Sequence, residues 1–186
     1  MSVLFIDIET LPQAEPVDPS EVDAPANYKD PEKIAAYQRE HAAEAWAKTA
    51  LKPLSGQIAC IAWALDDAPV RSVWALDNLG AALDAVADDL DAAGGWPLWC
   101  GHNVAGFDLV YLKLHALRIK HRIASVIPYA KWDKRVIDTM DLFGGPNPAA
   151  NKMGQAALAR FFGLPVTTRP GSEVLPLYLA GDTDRA

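Results

Sequence analysis

Two carboxylates lie two residues apart near the start of the chain, at Asp7 and Glu9. They end an apolar run with β-branched and aromatic members, which predicts a mostly buried strand over residues 2–8. Because side chains alternate between the two faces of a strand, both acids are expected on one face. Neighbouring anions in an apolar setting repel each other and lose hydration, and a divalent cation relieves both costs. Oxygen ligands alone favour Mg²⁺ or Mn²⁺ over Zn²⁺.

A third carboxylate, Asp108, strengthens this interpretation. An isolated Asp-x-Glu sequence is weak support for a metal site, because such acids also simply end a strand at the surface. Asp108 closes the segment that begins at Gly101, which follows one predicted strand and opens a predicted helix. The first turn of a helix favours the ionised form of an acid. Asp7, Glu9 and Asp108 are therefore candidate metal ligands.

The elements that must hold these acids are both strands and helices. Strands are predicted over residues 2–8, 57–65, 70–76, 96–100 and 136–138, and helices over 31–51, 79–93, 106–117 and 152–162. The second and third strands read as an antiparallel hairpin, and with the first strand they form a three-stranded meander. This order of elements predicts an α/β domain with a mixed sheet.

All four predicted helices have recognisable local signals. The helix at 31–51 is an insertion after the first strand, with Asp30 as its N-cap and only a thin apolar stripe. Asn78 is expected to cap the helix at 79–93, whose acidic residues form a solvated face. The helix at 106–117 is expected to turn five apolar residues inward: Phe107, Val110, Tyr111, Leu114 and Leu117. Asn151 is the expected cap of the last helix.

Length and composition fit one compact domain. The chain has 186 residues, of which 51% are hydrophobic, and a chain of this size builds a core without disulfides or a structural metal. Cys60 and Cys100 lie in apolar runs, as buried reduced thiols do. No stretch approaches the roughly 20 apolar residues that a membrane span requires. We therefore expect a soluble, cytoplasmic protein with no membrane partner.

The net charge restricts how the chain could bind nucleic acid. The 17 Lys and Arg against 24 Asp and Glu residues give a formal net charge of −7, the wrong sign for a protein that binds by neutralising phosphates. An enzyme that meets nucleic acid through divalent cations is still compatible, because bound metal reverses the local charge.

The acidic segments resemble the motifs of a known family, the DEDD 3′-5′ exonucleases of the ribonuclease H-like superfamily. The similarity is greatest to predicted exonucleases related to the proofreading domain of family B DNA polymerases. The segment from Phe5 to Thr10 is similar to the first exonuclease motif, and the segment from Gly101 to Leu112 to the second. The segment from Val136 to Leu142 is similar to one that follows the second motif. The resemblance covers most of the chain and implies a ribonuclease H-like mixed sheet flanked by helices.

The same resemblance implies roles for individual residues. Asp7 would bridge two Mg²⁺ or Mn²⁺ ions, Glu9 would hold one of them and Asp108 would reach the other. Two such ions activate a water for in-line attack on a phosphodiester and stabilise the leaving oxygen. The implied substrate is a single-stranded DNA 3′ end.

Further residues are implied to contact that substrate. Thr10 and Leu11 would line the pocket of the terminal nucleotide, and His102, Asn103 and Phe107 would flank the scissile end. The last three also have ordinary structural interpretations, as a satisfied strand-end histidine, a turn or helix cap and a core residue. Asp138 is either a support for the metal site or a strand-end acid bonded to nearby backbone.

The family's third motif is not evident in this sequence. It requires a helix that carries Tyr or His and, four residues later, an Asp. Tyr178 and Asp182 have that spacing, but Gly181 is unfavourable inside a helix. We therefore expect a single exonuclease-like domain over residues 1–186 that ends just short of the third motif.

Three functions stay open at this point. The first is a metal-dependent 3′-5′ exonuclease, and the second is a catalytically incomplete domain that binds nucleic acid or protein. The third is an α/β enzyme that acts on a phosphorylated small molecule. This third function has little support, because the sequence has no glycine-rich phosphate loop of the recognised kinds. The sequence does not distinguish DNA from RNA, and it leaves the protein partners and the oligomeric state open.

Overall fold

The computed structural model describes residues 2–94, 96–129, 133–145, 151–166 and 171–182. Its internal contacts divide the chain into two compact units. The first consists of Met1–Glu9 and Ile58–Gly171, and the second of Thr10–Gln57 and Ser172–Ala186. All three candidate metal ligands lie in the first unit.

A mixed sheet runs through the described part of the chain. Its strands are β1 (Val3–Leu11), β2 (Gln57–Leu65), β3 (Arg71–Trp74), β4 (Leu98–Gly101) and β5 (Val136–Asp138), in the spatial order β3-β2-β1-β4-β5. β4 is parallel to both of its neighbours, and β2 and β3 are antiparallel. The predicted hairpin, meander and mixed sheet are confirmed. β1 continues three residues beyond the predicted strand and ends before Pro12.

Six α-helices accompany the strands in the described residues. They are α1 (Pro31–Lys48), α2 (Leu79–Ala92), α3 (Asp108–Arg118), α4 (Thr139–Gly144), α5 (Gln155–Phe161) and α6 (Val174–Leu179). The Asn78 side chain accepts a hydrogen bond from the Ala81 N–H, which confirms the predicted cap of α2. The expected cap of α5 is wrong: Gly154 takes that position, and Asn151 instead donates its amide to the Gly144 carbonyl. None of the described helices combines the length and apolar character of a membrane span.

Helix α3 packs on the core with a face that only partly matches the predicted one. Tyr111 is buried and Phe107 packs against the core, as expected, whereas Leu117 is 53% exposed. The buried face also includes residues that were not predicted to face inward: Asp108, Leu109, Leu112, His115 and Ala116. The helix begins at Asp108, whose buried side chain sets the rotation, so residues three, four and seven positions later also face inward. The apolar pattern alone did not reveal this, because the polar residue at the helix start belongs to the buried face.

The acidic face of α2 lies at the surface, as predicted, but its charges are paired. Arg122 forms ion pairs with Asp84, Asp88 and Asp91. Exposed pairs of this kind contribute about 0–1 kcal/mol each. The acidic run therefore has a structural explanation as a solvated, ion-paired helix face.

Candidate functional site

Strand β1 presents its two acids on one face, as the alternation predicts. Leu4, Ile6 and Ile8 are buried in the core, so Asp7 and Glu9 lie on the opposite face. Asp7 is exposed and Glu9 is half-buried. The two carboxylates therefore lie on the same face of β1, in the part of the strand that belongs to the first unit.

Asp108 is joined to the same strand by a hydrogen bond. Its side chain is only 3% exposed, and its Oδ1 accepts a hydrogen bond from the Ile8 N–H at 2.9 Å. Ile8 lies between Asp7 and Glu9 in the sequence, so this bond holds the start of α3 against the acidic segment of β1. The structure thus brings together the three acids that the sequence selected.

The pKa of Asp108 is raised to about 8. Burial is the main cause and the nearby charge of Asp7 adds to it, while hydrogen bonds from backbone N–H groups oppose both. The expectation that the helix N-terminus keeps this acid ionised is therefore wrong, because desolvation outweighs the helix dipole here. Asp108 carries its proton at neutral pH in the metal-free protein.

The other two acids are shifted in the same direction. Although Asp7 reaches solvent, the protein around its carboxylate removes part of its hydration, which raises the pKa of Asp7, and His102 partly opposes that shift. Burial also raises the pKa of Glu9, and the charge of Asp7 adds to it. Asp7 thus interacts unfavourably with both of the other carboxylates. Clustered acids with raised pKa values are typical of functional sites.

The donor chemistry of this cluster fits a hard divalent cation, because carboxylate oxygens are the preferred ligands of Mg²⁺ and Mn²⁺. A complete cage is not formed, however. Within the described ranges, no three His, Cys, Asp or Glu side chains lie close enough together to hold an ion as they stand. Asp7, Glu9 and Asp108 must therefore converge further to ligate a cation jointly.

The turn that leads into α3 is held by Asp138. This carboxylate accepts hydrogen bonds from the N–H groups of Asn103, Ala105 and Met140 at 2.9–3.0 Å. Of the two interpretations of Asp138, the backbone-bonded acid is the observed one. Because two of the three donors lie in the turn before Asp108, Asp138 also fixes where that acid is presented.

His102 lies in the same turn and is half satisfied. Its Nδ1 lies 3.0 Å from the Thr139 hydroxyl, which donates to the Gly101 carbonyl at 3.2 Å. Its Nε2 is buried and has no hydrogen-bond partner in the described structure. His102 and Asp7 line a cavity of about 300 Å³ beside the sheet. Sequence reasoning found this residue but not the orphaned nitrogen, which depends on long-range packing.

Gly101 is required by a close backbone approach. A Cβ at this position would lie 2.8 Å from the Ile6 carbonyl oxygen, closer than real Cβ contacts allow. The turn therefore packs directly against β1, which brings His102 and Asp108 near Asp7.

Asn103 and Phe107 take different positions in this turn. Asn103 is exposed, in the left-handed conformation with φ 61°, which Asn adopts more readily than most residues. Phe107 is half-buried against the core and tilted against Tyr111 at a centroid distance of 5.0 Å. Asn103 is open to a ligand, whereas Phe107 already has the packing of a core residue.

Thr10 and Leu11 belong to the second unit. The Thr10 hydroxyl donates to the Ala50 carbonyl at 2.8 Å, and Leu11 is only 2% exposed. Both side chains therefore have structural roles there, and their predicted contact with a terminal nucleotide stays a prediction.

Tyr178 and Asp182 also lie in the second unit, but not on one helix. Helix α6 contains Tyr178 and ends at Leu179, and Gly181 then takes a positive φ of 75°. The Asp182 N–H donates to the Leu177 carbonyl in the turn that closes the helix. The pair therefore lacks the uninterrupted helix that the third exonuclease motif requires.

The fold resembles part of a DNA polymerase. The chain superimposes with a TM-score of 0.56 and 16% identity on the structure of the family B DNA polymerase from the hyperthermophilic archaeon Pyrobaculum calidifontis. The match covers 100% of this chain and 22% of the polymerase chain. No protein-family model and no curated protein matches the sequence. The comparison supports an α/β fold compatible with the ribonuclease H-like class.

Proposed function

We propose that the chain is a metal-dependent 3′-5′ exonuclease that removes nucleotides from single-stranded DNA ends. The observation that carries the proposal is the coupled cluster of Asp7, Glu9 and Asp108. A protein does not gain stability from three carboxylates whose ionised forms oppose one another. A site that binds cations explains why they lie together.

The fold comparison supports the same class of function. The exonuclease motifs that the sequence resembles lie at β1 and at the β4–α3 turn, and the whole chain resembles part of a family B DNA polymerase in fold. Because the chain spans only 22% of that polymerase, the activity and the DNA substrate are proposals for this chain.

Asp7, Glu9 and Asp108 would hold the cations, which supply charge neutralisation at the phosphodiester and lower the pKa of the attacking water. Ile8 contributes its N–H, which holds the Asp108 carboxylate beside the strand. Asp138 keeps the preceding turn in place. Asn103, which is exposed, would contact the substrate. Because the net charge of the chain is negative, the cations would be the main attraction for DNA.

A second candidate function is binding without cleavage. Asp182 lies beyond the end of α6, so the residue with the spacing of the family's fourth acid is not presented on a helix. A site with three acids that lacks the fourth would bind cations more weakly. Under this alternative the chain binds single-stranded nucleic acid or a protein and leaves phosphodiesters intact.

Degradation of 5′-labelled single-stranded DNA in Mn²⁺ tests the proposal. We expect a ladder that shortens from the 3′ end, and its loss in Asp7→Asn. Asp67→Asn is the matched control, because Asp67 lies exposed in the turn after β2. Equal cleavage by wild type and Asp7→Asn would contradict the assignment. No cleavage by a folded wild type that still binds the labelled strand would favour the binding function.

A further inference from the structure

A cavity of about 700 Å³ lies within the second unit, beside helix α1. Lys33 and Tyr37, which are four residues apart and therefore share one face of α1, line this cavity. Tyr28 and Lys29, from the loop before the helix, line it as well. Its volume is within the range of about 300–1,000 Å³ that ligand sites in proteins have. The three acids of the proposed cleavage site belong to the first unit and do not line it.

Helix α1 is attached to the preceding loop by residues that do not line the cavity. The Gln38 amide donates a hydrogen bond to the Val22 carbonyl at 3.0 Å, and Trp46 Nε1 donates one to the Gln13 carbonyl at 2.8 Å. No residue of α1 is fully buried. The face of α1 that carries Lys33 is therefore not taken up by these attachments.

The tyrosines of the cavity form part of a row of aromatic rings. Tyr28 and Tyr37 meet edge to face at a centroid distance of 5.7 Å, and Tyr37 stacks on His41 at 3.8 Å. Whichever tyrosine supplies the edge, Tyr28 keeps at least one ring face without another ring of the described residues against it. Its side chain is 37% exposed, and its N–H is bonded to the Pro25 carbonyl. A ring already held in this way can stack on a nucleobase with little loss of conformational entropy.

The charged groups of the cavity suit a nucleotide better than a simple ion. Lys33 is exposed, and its ammonium group makes no hydrogen bond or ion pair with another described residue. Two acids, Asp30 and Glu40, also line the cavity, and the Asp30 carboxylate is used as the N-cap of α1. Lysines and acids together do not favour a bare anion or a bare cation. A nucleotide offers a phosphate to Lys33 and an amino group or hydroxyl to Glu40.

We infer that this cavity binds one nucleotide of single-stranded DNA, with its base stacked on Tyr28 and its phosphate paired with Lys33. The identity of the ligand rests on the proposed function, which makes single-stranded DNA the substrate. Aromatic rings beside basic side chains are the usual means by which proteins bind single strands without sequence preference. This contact requires no divalent cation, so it holds the strand independently of Asp7, Glu9 and Asp108.

Fluorescence anisotropy of 5′-labelled single-stranded DNA of mixed sequence, titrated with the full chain in EDTA, tests the inference. We expect Tyr28→Leu to weaken binding about fivefold or more, because loss of one stacked base costs at least about that factor. Tyr28→Phe keeps the ring and should bind like wild type. Lys33→Gln should reduce the slope of log K against log salt by about 0.7, which corresponds to one phosphate contact. Arg39→Gln is the matched control, because Arg39 is exposed on the same helix and does not line the cavity.

The outcomes separate this inference from the proposed function. A wild type that does not bind the DNA in EDTA overturns the inference, and so do Tyr28→Leu and Lys33→Gln variants that bind as tightly as wild type with the same salt dependence. In either case, cleavage in Mn²⁺ that is lost in Asp7→Asn would still support the exonuclease. Binding that depends on Tyr28 in a chain that cuts no DNA would support the inference and favour the binding function. If Tyr28→Leu does not fold, the salt dependence of Lys33→Gln decides the point.

Discussion

Replacement of Asp108 by Asn should stabilise the protein. Asn keeps the shape of the side chain and a carbonyl oxygen that accepts from the Ile8 N–H, but it never ionises. The pKa of Asp108 is about 8 in the folded protein, against 3.8 as its usual value. Between these values the folded state holds a proton that the unfolded chain has lost. Stability of the wild type therefore falls as pH rises through this window.

The magnitude follows from the same two values. At pH 7 the ionisation of Asp108 in the unfolded chain favours unfolding by about 4 kcal/mol, because one pKa unit corresponds to about 1.4 kcal/mol. Between pH 5 and pH 8 the wild type should lose roughly 3–4 kcal/mol relative to Asp108→Asn. A change of this size is a large fraction of the usual stability of a domain, which is about 5–15 kcal/mol.

Urea unfolding at pH 5, 6, 7 and 8 in EDTA measures this difference. The variant should be the more stable protein at every pH, and its advantage should grow with pH. Asp67→Asn, the exposed acid of the β2–β3 turn, should show no growing advantage. A constant difference between wild type and Asp108→Asn from pH 5 to pH 8, or a less stable variant at pH 8, would refute the reasoning.

Three other changes test the parts that hold the site. Asp138→Asn keeps one carbonyl oxygen but replaces the other acceptor, so at least one of the three backbone N–H groups that Asp138 binds loses its partner. This should cost about 1–3 kcal/mol in urea unfolding, whereas an unchanged midpoint would contradict its role. Gly101→Ala places a Cβ 2.8 Å from the Ile6 carbonyl oxygen and should lower stability by about 1–3 kcal/mol; Gly154→Ala, with nothing within 4 Å of its Cβ, should stay near wild type. Saturating Mn²⁺ should raise the melting temperature of the wild type. At a Mn²⁺ concentration about one hundred times Kd, the free energy of unfolding should increase by about 2.7 kcal/mol. Asp7→Asn should show no such increase.

Local patterns predicted the elements that carry the site. Alternation along β1 placed Asp7 and Glu9 on one face, and the four-residue turn after Leu65 indicated the hairpin. Asn78 marked the start of α2. Each of these features depends on residues close together in the sequence, so period, caps and turns were sufficient.

The electrostatics of the site depend on contacts that no local pattern contains. Ile8 and Asp108 are 100 positions apart, and Asp138 binds amides more than 30 positions away. The helix-terminus argument for Asp108 considered only its own helix. It gave the wrong direction of the pKa shift, because burial against β1 and the charge of Asp7 are long-range effects.

The raised pKa of Asp108 couples cation binding to proton release. A cation beside Asp7 favours the ionised form of every carboxylate near it, and so opposes the burial that keeps Asp108 protonated. At neutral pH, ligation by Asp108 therefore requires its proton to leave, and the charge of Asp7 is coupled to that proton. In the metal-free protein the three clustered acids repel one another. A bound cation relieves this repulsion, and the relief contributes to the free energy of cation binding. A cluster that had only a structural purpose would gain nothing from this arrangement, since Asn at position 108 could accept the Ile8 hydrogen bond at lower cost.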